Sequence, residues 1–172
     1  MIRYAKAADH AAIEAVVAEA FGRPDEARLV ARLRADGDAM FELVSVADEG
    51  ALGGHIMFTR LWADRDELYA ALAPVSVTPS RQKAGVGAAL VRAGLESARQ
   101  FGACGVLVLG DPAYYGRFGF SSVLAARIEA PHRSRGDGFQ AVELVAGALG
   151  GRHVRSDFPA VIWPDDEYPR KG

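Results

Sequence analysis

Three observations predict an α/β fold. A strand, a helix and a second strand follow one another between residues 68 and 109, the pattern of a parallel crossover. Two helical patterns stand between a short N-terminal strand and a β-hairpin. The chain has 172 residues, 50% of them hydrophobic and 24% charged, which is the size of one domain with a core that needs no disulfide or metal. A single domain over 1–172 is therefore expected, with its core at about 2–146 and a C-terminal extension over 147–172.

Met1-Ile2-Arg3-Tyr4-Ala5 alternates as a short strand does. Ile13, Val16, Val17, Ala20 and Phe21 then recur at helical spacing, with Asp9 near the helix start and Gly22 and Pro24 as the stop. A second helix begins at Pro24-Asp25-Glu26, buries Leu29, Val30 and Leu33, and ends near Gly37. Phe41 to Val46 and Gly54 to Trp62, joined through Asp48-Glu49-Gly50, read as a hairpin. Leu68 to Val77 mixes alanines with strand formers. Pro74 decides for a strand, because proline disrupts a helix interior but is tolerated at a strand edge or bulge. Gly85 to about Phe101 predicts a helix with Val86, Leu90, Ala93, Ser97 and Phe101 on one face, and Gly102 ends it. Gly105 to Leu109 is continuously apolar, as in a strand covered on both faces. A short helix over 112–118, a strand from about Phe120 and a strand through 140–145 follow. Residues 131–138 read as an exposed loop, and the tail from Pro164 as turn-rich.

With 20 Lys+Arg against 22 Asp+Glu the net charge is −2, so no overall field attracts nucleic acid. No window holds the ~18 continuous apolar residues of a membrane helix. The single Cys104 allows no internal disulfide, and His10, His55, His132 and His153 are too scattered to form a metal site with it. A cytoplasmic protein without metal is expected, with Cys104 as a small buried residue rather than a nucleophile.

Chemistry concentrates in Val77 to Leu90, where a strand feeds a polar loop that enters a helix through Gly85 and Gly87. A helix N-terminus offers unpaired N–H groups and the positive end of the macrodipole, a ready phosphate site. Arg81 and Lys83 add positive charge. A Walker loop is absent, since no Gly-x-x-x-x-Gly-Lys-Ser/Thr string exists. A dinucleotide fingerprint is a weaker match, because Leu90 stands at its third glycine. The remaining pattern is Gln82-Lys83-Ala84-Gly85-Val86-Gly87, preceded by Val77-x-Pro79. It resembles the acyl-CoA pyrophosphate loop of the GCN5-related N-acetyltransferase (GNAT) superfamily. Gly110-Asp111-Pro112-Ala113-Tyr114-Tyr115-Gly116-Arg117-Phe118-Gly119-Phe120 resembles the second signature of that superfamily, in the wording of its YhbS-like branch.

That resemblance implies a mixed, mostly antiparallel sheet whose fourth and fifth strands splay to admit the pantetheine arm of acetyl-CoA. It implies Val75 and Val77 on the fourth strand, and Gln82, Lys83, Gly85, Val86, Gly87 and Ala88 around the pyrophosphate, acting mostly through backbone. Pro74 independently suits a strand losing a ladder partner. The resemblance also implies direct attack of a primary amine on acetyl-CoA, an oxyanion donor among the backbone N–H groups near Val77, and Tyr115 as the acid that protonates the departing thiolate. Tyr114 reads as core or surface. The usual acidic position on the fourth strand holds only Ala, Leu, Pro and Val, so the base stays open among Ser76 with a water chain, His55 and Glu67. Val108 and Gly110 stand where many members carry a cofactor-contacting Asn. A non-catalytic acyl-CoA-binding module is the alternative function, and homodimers are common in the superfamily.

Overall fold

The computed structural model describes residues 1–63, 66–126, 128–129, 133–149 and 154–157. Its strands are β1 (Ile2–Tyr4), β2 (Ala39–Val46), β3 (Leu52–Ala63), β4 (Leu68–Val77), β5 (Ala103–Leu109), β6 (Ile128–Glu129), β7 (Phe139–Glu143) and β8 (Val154–Asp157). Its helices are α1 (His10–Phe21), α2 (Asp25–Ala35), α3 (Val86–Gln100), α4 (Pro112–Tyr115) and α5 (Ser122–Ala125). The main sheet runs β1-β2-β3-β4-β5-β7. Every neighbouring pair in it is antiparallel except β4 and β5, which α3 connects in parallel.

Both faces of the sheet are covered, which is why its central strands read as nearly unbroken apolar runs. On one face Ile13, Val17, Val30 and Leu33 of α1 and α2 meet Val44, Met57 and Ala73. On the other, Leu90, Val91 and Ala98 of α3 meet Phe41, Leu43, Ile56, Phe58 and Leu72. Adjacent Leu43 and Val44 therefore serve opposite layers. Truncating fully buried Leu33 or Leu90 to alanine removes about 2–5 kcal/mol of stability. A third cluster joins Leu61, Tyr69, Leu107, Phe139 and Leu149 beneath α5.

Three local expectations change. Asp9 stands at the N-cap of α1, but its carboxylate accepts from the Arg3 guanidinium at 2.7 and 3.0 Å and from the Lys6 N–H at 2.7 Å instead of from the helix. No strand runs from Phe120. Ser121 makes a single bridge to Ala141, and its hydroxyl then accepts from the Val123 N–H at 3.1 Å to start α5. A local side-chain bond thus displaces a strand continuation. Residues 133–138 form 3₁₀ turns, while 131–132 and the tail from Pro164 lie outside the described residues.

Candidate active site

The β4–β5 ladder runs from Leu68↔Ala103 to Ala71↔Leu107 and stops. Past that point β4 stays with β3, pairing Val75 with Ile56, Ser76 with His55 and Val77 with Gly54. β5 instead stays with β7, pairing Val108 with Gln140 and Leu109 with Phe139. Between Leu72 and Val75, β4 spends one residue more than β3, a bulge that contains Ala73 and Pro74. Proline has no N–H to give a neighbour, so the bulge sits where β4 has lost its partner. The result is a slot inside the sheet, lined by the backbone of Val75 and Val77.

The slot ends at the start of α3. After a 3₁₀ turn over Pro79–Arg81, exposed Lys83 adopts φ +62° and Gly85 φ +81°, two left-handed residues that turn the chain into the helix. The first intrahelical bond joins the Ala89 N–H to the Gly85 carbonyl at 3.0 Å. The N–H groups of Val86, Gly87 and Ala88 come before it and carry the positive end of the helix dipole. The Gln82 side chain donates to the Val77 carbonyl at 3.1 Å, so it braces the loop onto β4. Arg81 folds back along Gly53 of β3, where a Cβ would lie 2.6 Å from its Cδ.

Across the slot, Asp111 caps α4 by accepting from the Ala113 N–H at 2.9 Å, and α4 delivers two tyrosines. Tyr115 is buried with its ring against Gly110, edge-on to Tyr114 at 5.0 Å and to Phe120 at 5.7 Å. A Cβ on Gly110 would collide with that ring, its Cδ2 being 2.9 Å away. Tyr115 and Val75 pack in the same cluster, from opposite walls of the slot. Half-buried Tyr114, which the sequence leaves without a role, brings its hydroxyl to the first turn of α3, 2.9 Å from where a Gly87 Cβ would stand. The Arg117 guanidinium lies 4.5 Å over the Tyr114 ring, and Arg92 of α3 and Arg117 each lie 5.3 Å from the Phe118 ring. Among the described residues no carboxylate pairs with Arg92 or Arg117.

The base candidates separate clearly. Glu67 is exposed before β4, at the closed end of the ladder, roughly 25 Å of strand from Val75 at about 3.3 Å per residue. His55 is fully buried on β3 opposite Ser76, and its Nε2 lies 2.7 Å from Glu42 Oε2. The Arg34 guanidinium grips the same carboxylate, with Nε at 2.9 Å and Nη2 at 2.8 Å. Burial would raise the Glu42 pKa, but the hydrogen bonds from His55 and Arg34 outweigh it and hold the group at about 2. Burial pushes the His55 pKa below its ordinary value, against the pull of Glu42. Cys104 lies at the start of β5 but is only half-buried, and no metal-ligating cluster occurs among the described residues. No helix among them is long and apolar enough to cross a membrane.

A slot between two parallel strands, opening on a glycine-entered helix and faced by a tyrosine, is the acyl-CoA architecture. The chain belongs to the GNAT acetyltransferase family, whose model matches residues 8–120. It is similar to the Escherichia coli K12 protein named "Uncharacterized N-acetyltransferase YhbS", with 36% identity over 154 residues, 88% of this chain and 91% of that one. The crystal structure of E. coli YhbS in complex with CoA superposes with a TM-score of 0.85 at 32% identity, covering 94% of this chain and 90% of the other. A GNAT family acetyltransferase from Brucella melitensis in complex with acetyl-CoA gives 0.76 at 31% identity, covering 94% and 96%.

Proposed function

We propose that the protein transfers the acetyl group of acetyl-CoA to a primary amine by direct attack in a ternary complex. The observation that carries this reading is the continuity of the β4–β5 slot with the N-terminus of α3, a path for an extended thiol arm that ends in a pyrophosphate. Backbone groups of Val75 and Val77 pair with the pantetheine amides as a strand would. The N–H groups of Val86, Gly87 and Ala88 take the pyrophosphate, with Lys83 and the Tyr114 hydroxyl beside them. Arg92 and Arg117, one on each side of the slot mouth and without carboxylate partners among the described residues, take the phosphate at the nucleotide end.

Tyr115 is the acid. A phenol of ordinary pKa near 10 stays protonated at neutral pH, and a thiolate of pKa about 8.5 accepts its proton when the C–S bond breaks. A backbone N–H of β4 near Val77, on the side that has parted from β5, receives the developing oxyanion. The reading extends to a cytoplasmic protein, a compartment in which free Cys104 stays reduced. Calorimetric titration with acetyl-CoA, NAD and ATP under one set of conditions tests it. Selective acetyl-CoA binding is expected, and binding of NAD or ATP without acetyl-CoA overturns it.

A further inference from the structure

The face of the sheet beneath α1 and α2 holds a polar group that the fold does not complete. His55 Nδ1 and Ser76 Oγ are both buried and both without a hydrogen-bond partner, and their residues stand directly opposite on β3 and β4. The other ring nitrogen is committed. Glu42 is an ionised acceptor, so Nε2 must carry the proton that bridges the 2.7 Å gap to it. The neutral ring then presents a bare lone pair at Nδ1. Burying such an atom without a donor is unfavourable, and a retained orphan of this kind calls for an explanation.

Position supplies one. Ser76 lies between Val75 and Val77, on the stretch of β4 past the last rung with β5, so the strand that carries it is the wall of the thioester slot. We infer that Ser76 and His55 form the proton exit of the transferase: the attacking nitrogen hands its proton to the Ser76 hydroxyl, which turns about its Cα–Cβ bond to pass its own to the His55 Nδ1 across the strand pair. The inference rests on the acetyltransferase reading above. In balance, the N–C bond forms and the nitrogen, made acidic by bonding to carbon, gives one proton through Ser76 to His55. The C–S bond breaks and the thiolate takes the Tyr115 phenolic proton. When the amine binds as the free base, the proton on His55 returns through Ser76 to the Tyr115 phenolate as product leaves. When it binds as ammonium, the extra proton goes to solvent.

The arrangement has the logic of a nucleophile–histidine–carboxylate relay. Glu42 fixes the tautomer and stabilises the imidazolium that forms, and Arg34 holds Glu42; both are positioning residues. The groups facing the imidazole are Glu42 from β2, with Arg34 of α2 behind it, and Ser76 from β4. α1 packs over β3 and β4 with the aliphatic Ile13, Val16 and Val17 as its buried residues. The other acids of α1 and α2 lie away from the ring: Glu14, Glu19 and Asp25 are exposed, and Glu26 accepts from the Arg23 guanidinium.

Two substitutions in the full chain test this. His55→Gln keeps an N–H donor for Glu42 and deletes the Nδ1 lone pair, and Ser76→Ala deletes the hydroxyl at nearly constant volume. CoA release from acetyl-CoA is measured between pH 4.5 and 9 with water alone and with excess glycinamide, beside acetyl-CoA affinity by calorimetry. Each variant is expected to lose about 100-fold or more in turnover, the range of general-base contributions. The acid-side inflection of the wild-type profile disappears in His55→Gln, while acetyl-CoA affinity stays within about twofold. Unchanged turnover and inflection in either folded variant overturns the relay and leaves the acetyltransferase reading standing. Wild-type protein that binds acetyl-CoA but releases no CoA above the uncatalysed rate also overturns the relay. Absence of acetyl-CoA binding overturns both.

Discussion

The Tyr114 hydroxyl stands over Gly87, close enough that a Cβ there would sit 2.9 Å from it. Glycine at this position therefore does two jobs. It leaves the first-turn N–H groups of α3 open, and it admits a phenol that arrives from the far wall of the slot. Gly87→Ala is expected to displace Tyr114 and weaken acetyl-CoA binding, while Tyr114→Phe, lacking the oxygen, makes room for the new methyl. A double-mutant cycle on acetyl-CoA affinity checks this. The double variant should bind better than Gly87→Ala alone, and additive losses would show that the two sites are independent.

Tyr115→Phe should lower kcat by about 100-fold and leave acetyl-CoA affinity unchanged, since it removes a proton and not a contact surface. Gly110→Ala should mimic it from outside the ring, because its Cβ needs space the Tyr115 edge occupies. Steady-state kinetics with calorimetry separates the two effects. Full turnover in Tyr115→Phe would remove its role as acid.

Arg92 and Arg117 flank Phe118 without carboxylate partners among the described residues, so their charges are available to the nucleotide end of the ligand. Replacing either by alanine should weaken CoA binding about two- to fivefold, the scale of exposed ion pairs, and the loss should shrink in high salt. Dephospho-CoA should bind wild type and variants alike. An equal loss for both ligands would move these arginines away from that phosphate.

Acid should destabilise the fold in two stages. Unfolded, His55 binds a proton near pH 6.5; folded, burial lowers its affinity for one, so stability falls as pH drops through 6.5. Glu42 is ordinary at 4.5 and held at about 2 in the fold, so its contribution is full above 4.5 and is lost as pH falls toward 2. Urea midpoints from pH 8 to 3 follow both stages. His55→Gln should flatten the first stage only, and an unchanged first stage would assign it to another group.

Much of this architecture is legible in the chain because it is local. The helical spacing of Ile13, Val16 and Val17 and the apolar run to Leu109 place α1 and β5, and Gly85 with Gly87 marks the entrance to α3. Pro74 goes further, since a residue with no donor foretells the lost rung. The role proposed for Tyr115 comes from the resemblance of Gly110 to Phe120 to the second signature of the family. What escapes is non-local. Nothing near Tyr114 in sequence says that its hydroxyl meets Gly87, and Glu42, His55 and Ser76 are neighbours only through the register of three strands, Ser76 opposite His55 and Glu42 diagonal to it. The four-residue β8 has no periodicity to read and exists through its pairing with β3 and β6.

The parting of β4 and β5 has a cost beyond chemistry. Past Ala71 and Leu107 two strand edges face one another with no ladder between them, and open edges recruit foreign strands. A molecule that lies along them serves as a surrogate strand, so occupancy closes a seam as well as supplying a reagent. Linkage gives the scale: at a ligand concentration one hundred times its Kd, the folded state gains about 2.7 kcal/mol. The empty protein is thus the form most exposed to misassembly, and the acyl donor doubles as part of the scaffold that uses it.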